Sequence, residues 1–277
     1  MSLALAQPTA APRAGALRIL ALAIVPAIAV IVAGEGIWVS MIAAYSSHPT
    51  AFPWFVPAMA VVLAAGLYGF KRAGWPVRLN AVRTKTFALA LIAGWSTFFA
   101  GAGFYIAYRM QSGLGAEVPM TLPRGPHTAV VIGLAMAAVV AGVLEEFAVR
   151  GLIQTRLEKA YGIVPAIAAS GFVWAIFHTN HSYFDTTPLN VAIWFGIFYV
   201  VSVMLGTVAS RTNSLLPGMV IHAGFDSTYF VSAGVLPSHA PLAFVESLAA
   251  PHTFQMVGAA LAAIAALAWR AFFDVTR

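Results

Sequence analysis

The sequence predicts an all-α, polytopic membrane protein of about eight transmembrane helices, and three observations carry that expectation. Hydrophobic residues make up 61% of the 277 and charged ones only 9%, where a soluble domain carries roughly 25% charge. Apolar runs long enough to span a bilayer, roughly 17–25 residues, recur along the whole chain. The period-two alternation of short strands that marks a membrane β-barrel is missing.

Taken in order, residues 1–14 (MSLALAQPTAAPRA) lack the long apolar core and cleavage site of a secretory signal and read as a flexible tail. Residues 15–277 form a single transmembrane domain. Its apolar runs lie near 17–43, 52–70, 86–108, 128–149, 162–180, 189–209, 214–236 and 253–273. Pro and Gly within them are ordinary for membrane helices. There is no internal repeat and no low-complexity linker. Cysteine is absent, which excludes disulfides and Cys-ligated metals.

Lys and Arg orient the spans. With the N-terminus inside, the cytoplasmic pieces hold Arg13 and Arg18, then Lys71, Arg72, Arg78, Arg83 and Lys85, then Arg150, Arg156 and Lys159, then Arg211, and finally Arg270 and Arg277. These are thirteen of the fifteen basic residues; only Arg109 and Arg124 fall outside. A multi-pass protein of the cell (inner) membrane with both termini cytoplasmic follows. The formal charge of +6 is spread between apolar runs and is no nucleic-acid footprint. The basic loop KRAGWPVRLNAVRTK (71–85) reads as a topology signal against anionic lipid headgroups.

The fourth run is broken by AGVLEEFAVRGL, residues 141–152. Charged groups at membrane depth cost on the order of 2.5–3.5 kcal/mol each, so Glu145, Glu146 and Arg150 need a reason to be there. On a helix Glu146 and Arg150 are an i,i+4 pair with the carboxylate N-terminal to the cation, the favourable order. Glu145 points about 100° away and stays free to work as a general base. At ~1.5 Å per residue Glu145 lies ~20 Å above the cytoplasmic end of its span, near mid-membrane.

The fifth run brings His178 in WAIFHTNH to ~24 Å, a similar height. The seventh brings His222 and Asp226, another i,i+4 pair, starting ~12 Å above Ser214. Three spans thus place acids and imidazoles at overlapping depths, where buried ionisable groups face one another or a hydrated cavity. That locates an active site inside the bundle. Taken singly, each piece also has a structural explanation: a helix-to-helix hydrogen bond for His178, an architectural bridge for Glu146–Arg150, a polar patch at a bend for Asp226. Glu35 is read as snorkelling to the outer interface, His181 and Asp185 as the outer mouth, and His239 and His252 as outer-loop residues.

Glu145-Glu146-x-x-x-Arg150-Gly151, a His closing an aromatic-led turn, and His222-x-x-x-Asp226 resemble the three signatures of the CPBP family. These are CAAX-prenyl-endopeptidase and bacteriocin-processing (abortive-infection) membrane proteins. GTVASRTNSLLPGMVIHAGFD (206–226) is similar to the stretch leading into the third signature, and the resemblance covers about 125–235. Two positions depart from it. The second signature usually reads Phe-x-x-x-His, and here Trp174 holds the aromatic place. The third often ends in Asn, and here Asp226 stands; an ionised Asp cannot donate as an amide does.

The resemblance implies a glutamic-type intramembrane protease. Glu145, assisted by His178, would activate a water for attack on a peptide carbonyl. His222 and Asp226 would stabilise the oxyanion, with Asp226 protonated or His222 donating. Glu146 and Arg150 would orient the catalytic carboxylate. No cofactor is needed. The partners are a peptide or membrane-anchored protein substrate and membrane lipids, with no nucleic acid; an Ala-rich, Cys-free chain looks bacterial.

Three other readings compete. Glu145 or Glu146 with His178 and His222 would supply N/O ligands for a catalytic divalent metal, although no His-Glu-x-x-His pair exists and Arg150 would repel the cation. AASG (168–171) prompts a serine protease at Ser170, but the first Gly of Gly-x-Ser-Gly is Ala168, and small residues are ordinary packing material. A non-catalytic binding or immunity protein, or a proton-relaying transporter, would use the same polar groups; transporters typically show repeated halves.

Overall fold

The computed structural model describes residues 52–72, 74, 78–112, 138–179, 187–235 and 250–277, with positions 15, 25, 27–30 and 32. The tail, Glu35, Arg124, His181, Asp185 and His239 lie outside the described residues.

The helices are α1 (Phe52–Arg72), α2 (Thr84–Gln111), α3 (138–161), α4 (Ile163–Thr179), α5 (Pro188–Thr212), α6 (Leu216–Val235) and α7 (Pro251–Val275). They match the second to eighth apolar runs, and the described positions of the first run are helical too. Among the described residues the only extended pairing is one antiparallel bridge, Leu79 with Ser214. The all-α membrane class expected from the sequence is what is found.

Three helices among the described residues are long and apolar enough to cross a membrane: Thr84–Tyr108, Val191–Thr212 and Pro251–Val275. The helices that hold the charged residues, α3, α4 and α6, are not in that set; α4 is apolar but shorter. The polar side chains of α3 and α6 replace apolar ones on faces turned to the protein interior. Large apolar side chains such as Val164, Phe172, Leu189, Val200 and Leu267 are exposed instead. Outward apolar faces around an interior that holds the polar cluster suit a protein whose solvent is lipid.

Helix packing relies on small residues at the crossings. A Cβ on Gly103 would stand 3.0 Å from the Phe254 carbonyl oxygen, and one on Gly258 3.2 Å from that of Ala100, so α2 and α7 touch backbone to backbone. Gly142 is equally confined: a Cβ there would meet Ala223 N at 2.8 Å, which seats α3 directly on α6.

Helix α3 is not a uniform α-helix. Phe147–Gln154 is a π-helix with all eight residues buried, and the Thr155 hydroxyl donates to the Arg150 carbonyl at 2.9 Å. Widened turns of this kind are rare and recur at functional sites; composition gives no warning of one. A single residue, Gly162 at φ 86, then links α3 to α4, a left-handed conformation that glycine adopts without cost.

A polar ladder couples α3 to α5. Arg150 donates to Ser202, Gln154 to the Gly206 carbonyl, and the Ser210 hydroxyl to Glu158, each pair 52 residues apart. A constant offset over steps of four means that the two helices run the same way, one face against one face. Below the ladder, Arg78 forms an ion pair with Glu158. Asn80 Nδ2 donates to the Asn213 carbonyl at 2.8 Å, and Ser214 Oγ to that of Asn80 at 2.7 Å. The basic segment is therefore held in the fold by specific bonds, in addition to any contact with lipid.

Glu158 lies outside the spans. Burial pushes its carboxyl up, but hydrogen bonds from Arg78, Ser210 and Gln154 outweigh this and hold it below its usual value. A depressed folded-state value stabilises above the ordinary carboxylate range and loses that contribution as pH falls through the folded value. Glu158→Gln is expected to cost about 1–3 kcal/mol near neutral pH. Thermal unfolding in detergent should show the gap to wild type closing as the medium is acidified.

Candidate active site

The site is assembled from three helices, with a fourth behind it. Helix α3 supplies Glu146 and Arg150 as an i,i+4 pair with Glu145 beside them, and the structure separates the two acids sharply. The Glu146 side chain is 0% exposed and that of Glu145 23%. Arg150, also wholly buried, donates to Glu146 Oε1 at 2.9 Å. Its second terminal nitrogen donates to the Ser202 carbonyl at 3.0 Å and hydroxyl at 2.6 Å. The guanidinium fork thus spans two helices, which a point-charge ammonium does not do. It also corrects one sequence expectation: Arg150 does not act as a surface charge orienting the protein, because no part of it reaches a membrane face.

Helix α6 places His222 between carboxylates. Its Nδ1 lies 3.0 Å from Glu146 Oε1, while Nε2 lies 3.5 Å from Asp226 Oδ2 and 3.8 Å from Glu145 Oε2. Helix α4 places His178 Nε2 3.4 Å from the same Glu145 oxygen, and His178 Nδ1 donates to the Trp174 carbonyl one turn earlier at 2.9 Å. All six residues singled out in the sequence therefore share one neighbourhood inside the bundle. An ionised carboxylate only accepts, so an imidazole nitrogen hydrogen-bonded to one carries the proton.

The expectation that Glu145 stands free is revised. Trp174 Nε1 donates to Glu145 Oε2 at 2.7 Å. Among the described residues, the indole, His178 and His222 all converge on that one oxygen. Sequence reasoning also missed Ser202, whose position one step up the α5 ladder from Gly206 and Ser210 was a usable signal. Glu146 Oε2 and Arg150 Nε are buried with no hydrogen-bond partner among the described residues. Gly218 makes room beside Glu146, since a Cβ there would stand 3.0 Å from Oε2. Ser170 is taken up by packing: its hydroxyl contacts Gln154 Oε1 at 3.3 Å and the Ile167 carbonyl at 3.2 Å. His252 is exposed at the start of α7. Among the described residues no group of three His, Asp or Glu is arranged to hold a metal ion.

Fold and site together define a class: an α-helical membrane protein with a carboxylate–imidazole centre enclosed by its helices. Residues 127–228 match the family model described as Rce1-like, type II CAAX prenyl endopeptidase Rce1-like. That segment contains all six residues and bears out the resemblance to the CPBP family over its length. It supports a peptide hydrolase of the intramembrane kind. No curated protein and no solved structure matches the chain significantly.

Proposed function

We propose that this chain is a glutamic-type intramembrane endopeptidase that hydrolyses a peptide or membrane-anchored protein. The observation that carries it is the division of labour between adjacent acids: Glu146 is sealed against Arg150, while Glu145 is part-exposed with two imidazoles approaching one of its oxygens. Glu145 takes a proton from a water whose oxygen attacks the scissile carbonyl carbon, with His178 assisting the transfer. His222, in partnership with Asp226, donates to the oxyanion as it forms. The C–N bond then breaks and the proton passes to the leaving amine, without a covalent enzyme intermediate. Glu146 and Arg150 hold the geometry. The chain sits in the cell (inner) membrane of a bacterium with both termini cytoplasmic, and takes a pheromone or bacteriocin precursor or another anchored polypeptide.

The test is cleavage of internally quenched, lipid-anchored peptides by the full chain in vesicles, with and without chelators. Turnover unchanged by chelation is expected, since neither water activation nor oxyanion binding is assigned to a metal. Loss in chelator with recovery on adding one divalent ion would replace this mechanism by the metal-dependent one. Absence of cleavage across the peptide set, with biological activity retained by Glu145→Ala, would favour a non-catalytic role.

A further inference from the structure

The aromatic place before His178 holds a tryptophan where the resembled signature usually has phenylalanine, and the structure gives that difference a chemical content. Trp174 is 2% exposed and touches four of the six site residues. Its N–H meets Glu145 Oε2 at 2.7 Å, and its ring lies 3.9 Å from that of His178, centroid to centroid. It meets the His222 ring nearly perpendicularly, centroids 5.6 Å apart, and the Arg150 guanidinium sits 5.3 Å above its ring. Phenylalanine would reproduce the three ring contacts and none of the hydrogen bond.

We infer that Trp174 is a positioning residue for Glu145, its indole N–H fixing one carboxylate oxygen so that the other is presented to water. Glu145 sits on α3 and is part-exposed, so its side chain has rotamers to choose among, and the other contacts on Oε2 are the longer imidazole approaches at 3.4 and 3.8 Å. The short, well-donated bond from a fully packed ring is the one that selects a rotamer. Because the donor occupies Oε2, the base lone pair available for proton abstraction is on Oε1. The same ring contacts both Glu145 and Arg150, while the guanidinium's own bonds go to Glu146 and Ser202.

This rests on the proteolytic reading above, and the experiment separates the two. In the full chain reconstituted in vesicles, Trp174→Phe is compared with wild type on the best-cleaved member of the lipid-anchored peptide set. A hydrogen bond to a charged group held through the transition state makes the expected loss in kcat on the order of tenfold. KM should stay within about twofold and the melting temperature near wild type, because the ring contacts and the substrate path remain. Should Trp174→Phe not accumulate, 3-benzothienylalanine introduced at position 174 alone keeps the bicyclic shape without the N–H and is expected to behave the same way. Wild-type kcat in either variant overturns the inference. So does a fall in kcat matched by a fall in melting temperature, which is the mark of simple packing. In the Glu145→Gln background the Trp174→Phe change should have no further effect on residual turnover; wild-type turnover by Glu145→Gln would remove Glu145 as the base and this inference with it, whereas absence of cleavage by the wild-type chain across the peptide set would instead reject the proteolytic reading.

Discussion

Glu145→Gln is expected to reduce peptide cleavage by roughly 10²–10⁴-fold, the contribution of a well-placed general base, while leaving the fold intact. Glutamine keeps the volume and keeps a carbonyl oxygen to accept the Trp174 N–H now made to Oε2. It cannot take a proton from water. The charge it removes is the more exposed of the two, so no buried partner is stranded: His178 and His222 approach at 3.4 and 3.8 Å, and His222 retains Glu146 and Asp226. The measurements are kcat on a lipid-anchored peptide and the unfolding temperature of the purified protein. Turnover close to wild type would remove Glu145 from the chemistry.

Arg150→Ala is expected to be damaging in a different way, costing about 3–5 kcal/mol of stability as well as activity. The loss begins with the ion pair to Glu146, whose side chain is 0% exposed and whose second oxygen already lacks a partner among the described residues. Both bonds to Ser202, and with them one rung of the α3–α5 ladder, are lost too. A cavity replaces one of the largest fully buried side chains. Adding Glu146→Gln should recover part of the stability, because the uncompensated charge is gone, and none of the activity. Unfolding of the two variants in the same detergent checks this; equal stability of single and double variants would mean that the charge itself was not the cost.

Much of this protein is legible without coordinates because membrane helices obey simple arithmetic. Span length gives the helices, and the i,i+4 rule pairs Glu146 with Arg150 and His222 with Asp226. A fixed rise per residue brought Glu145 and His178 to similar depths, and the structure puts their side chains 3.4 Å apart. The basic segment was harder. Charge counting read 71–85 as a topology signal, yet Arg78 is committed to Glu158, 80 residues away, and the next residues are clamped to 213–215. Arg150 shows the opposite fault: the same counting placed a buried ion-pair partner at a membrane face.

The sequence by itself determined the class of protein, the helices that carry polar residues and the residue types gathered in the site, since hydrophobicity and helical periodicity are local properties. Only the tertiary structure decided which of those residues meet. Trp174 bonds Glu145 across 29 residues, Ser202 receives Arg150 across 52, and His222 meets Glu146 across 76. Such pairings depend on how far each helix is rotated about its axis and on a π-turn in α3 that shifts the register of the face. Rotation and register are set by small-residue crossings such as Gly142 against Ala223, which act between segments that no local pattern connects.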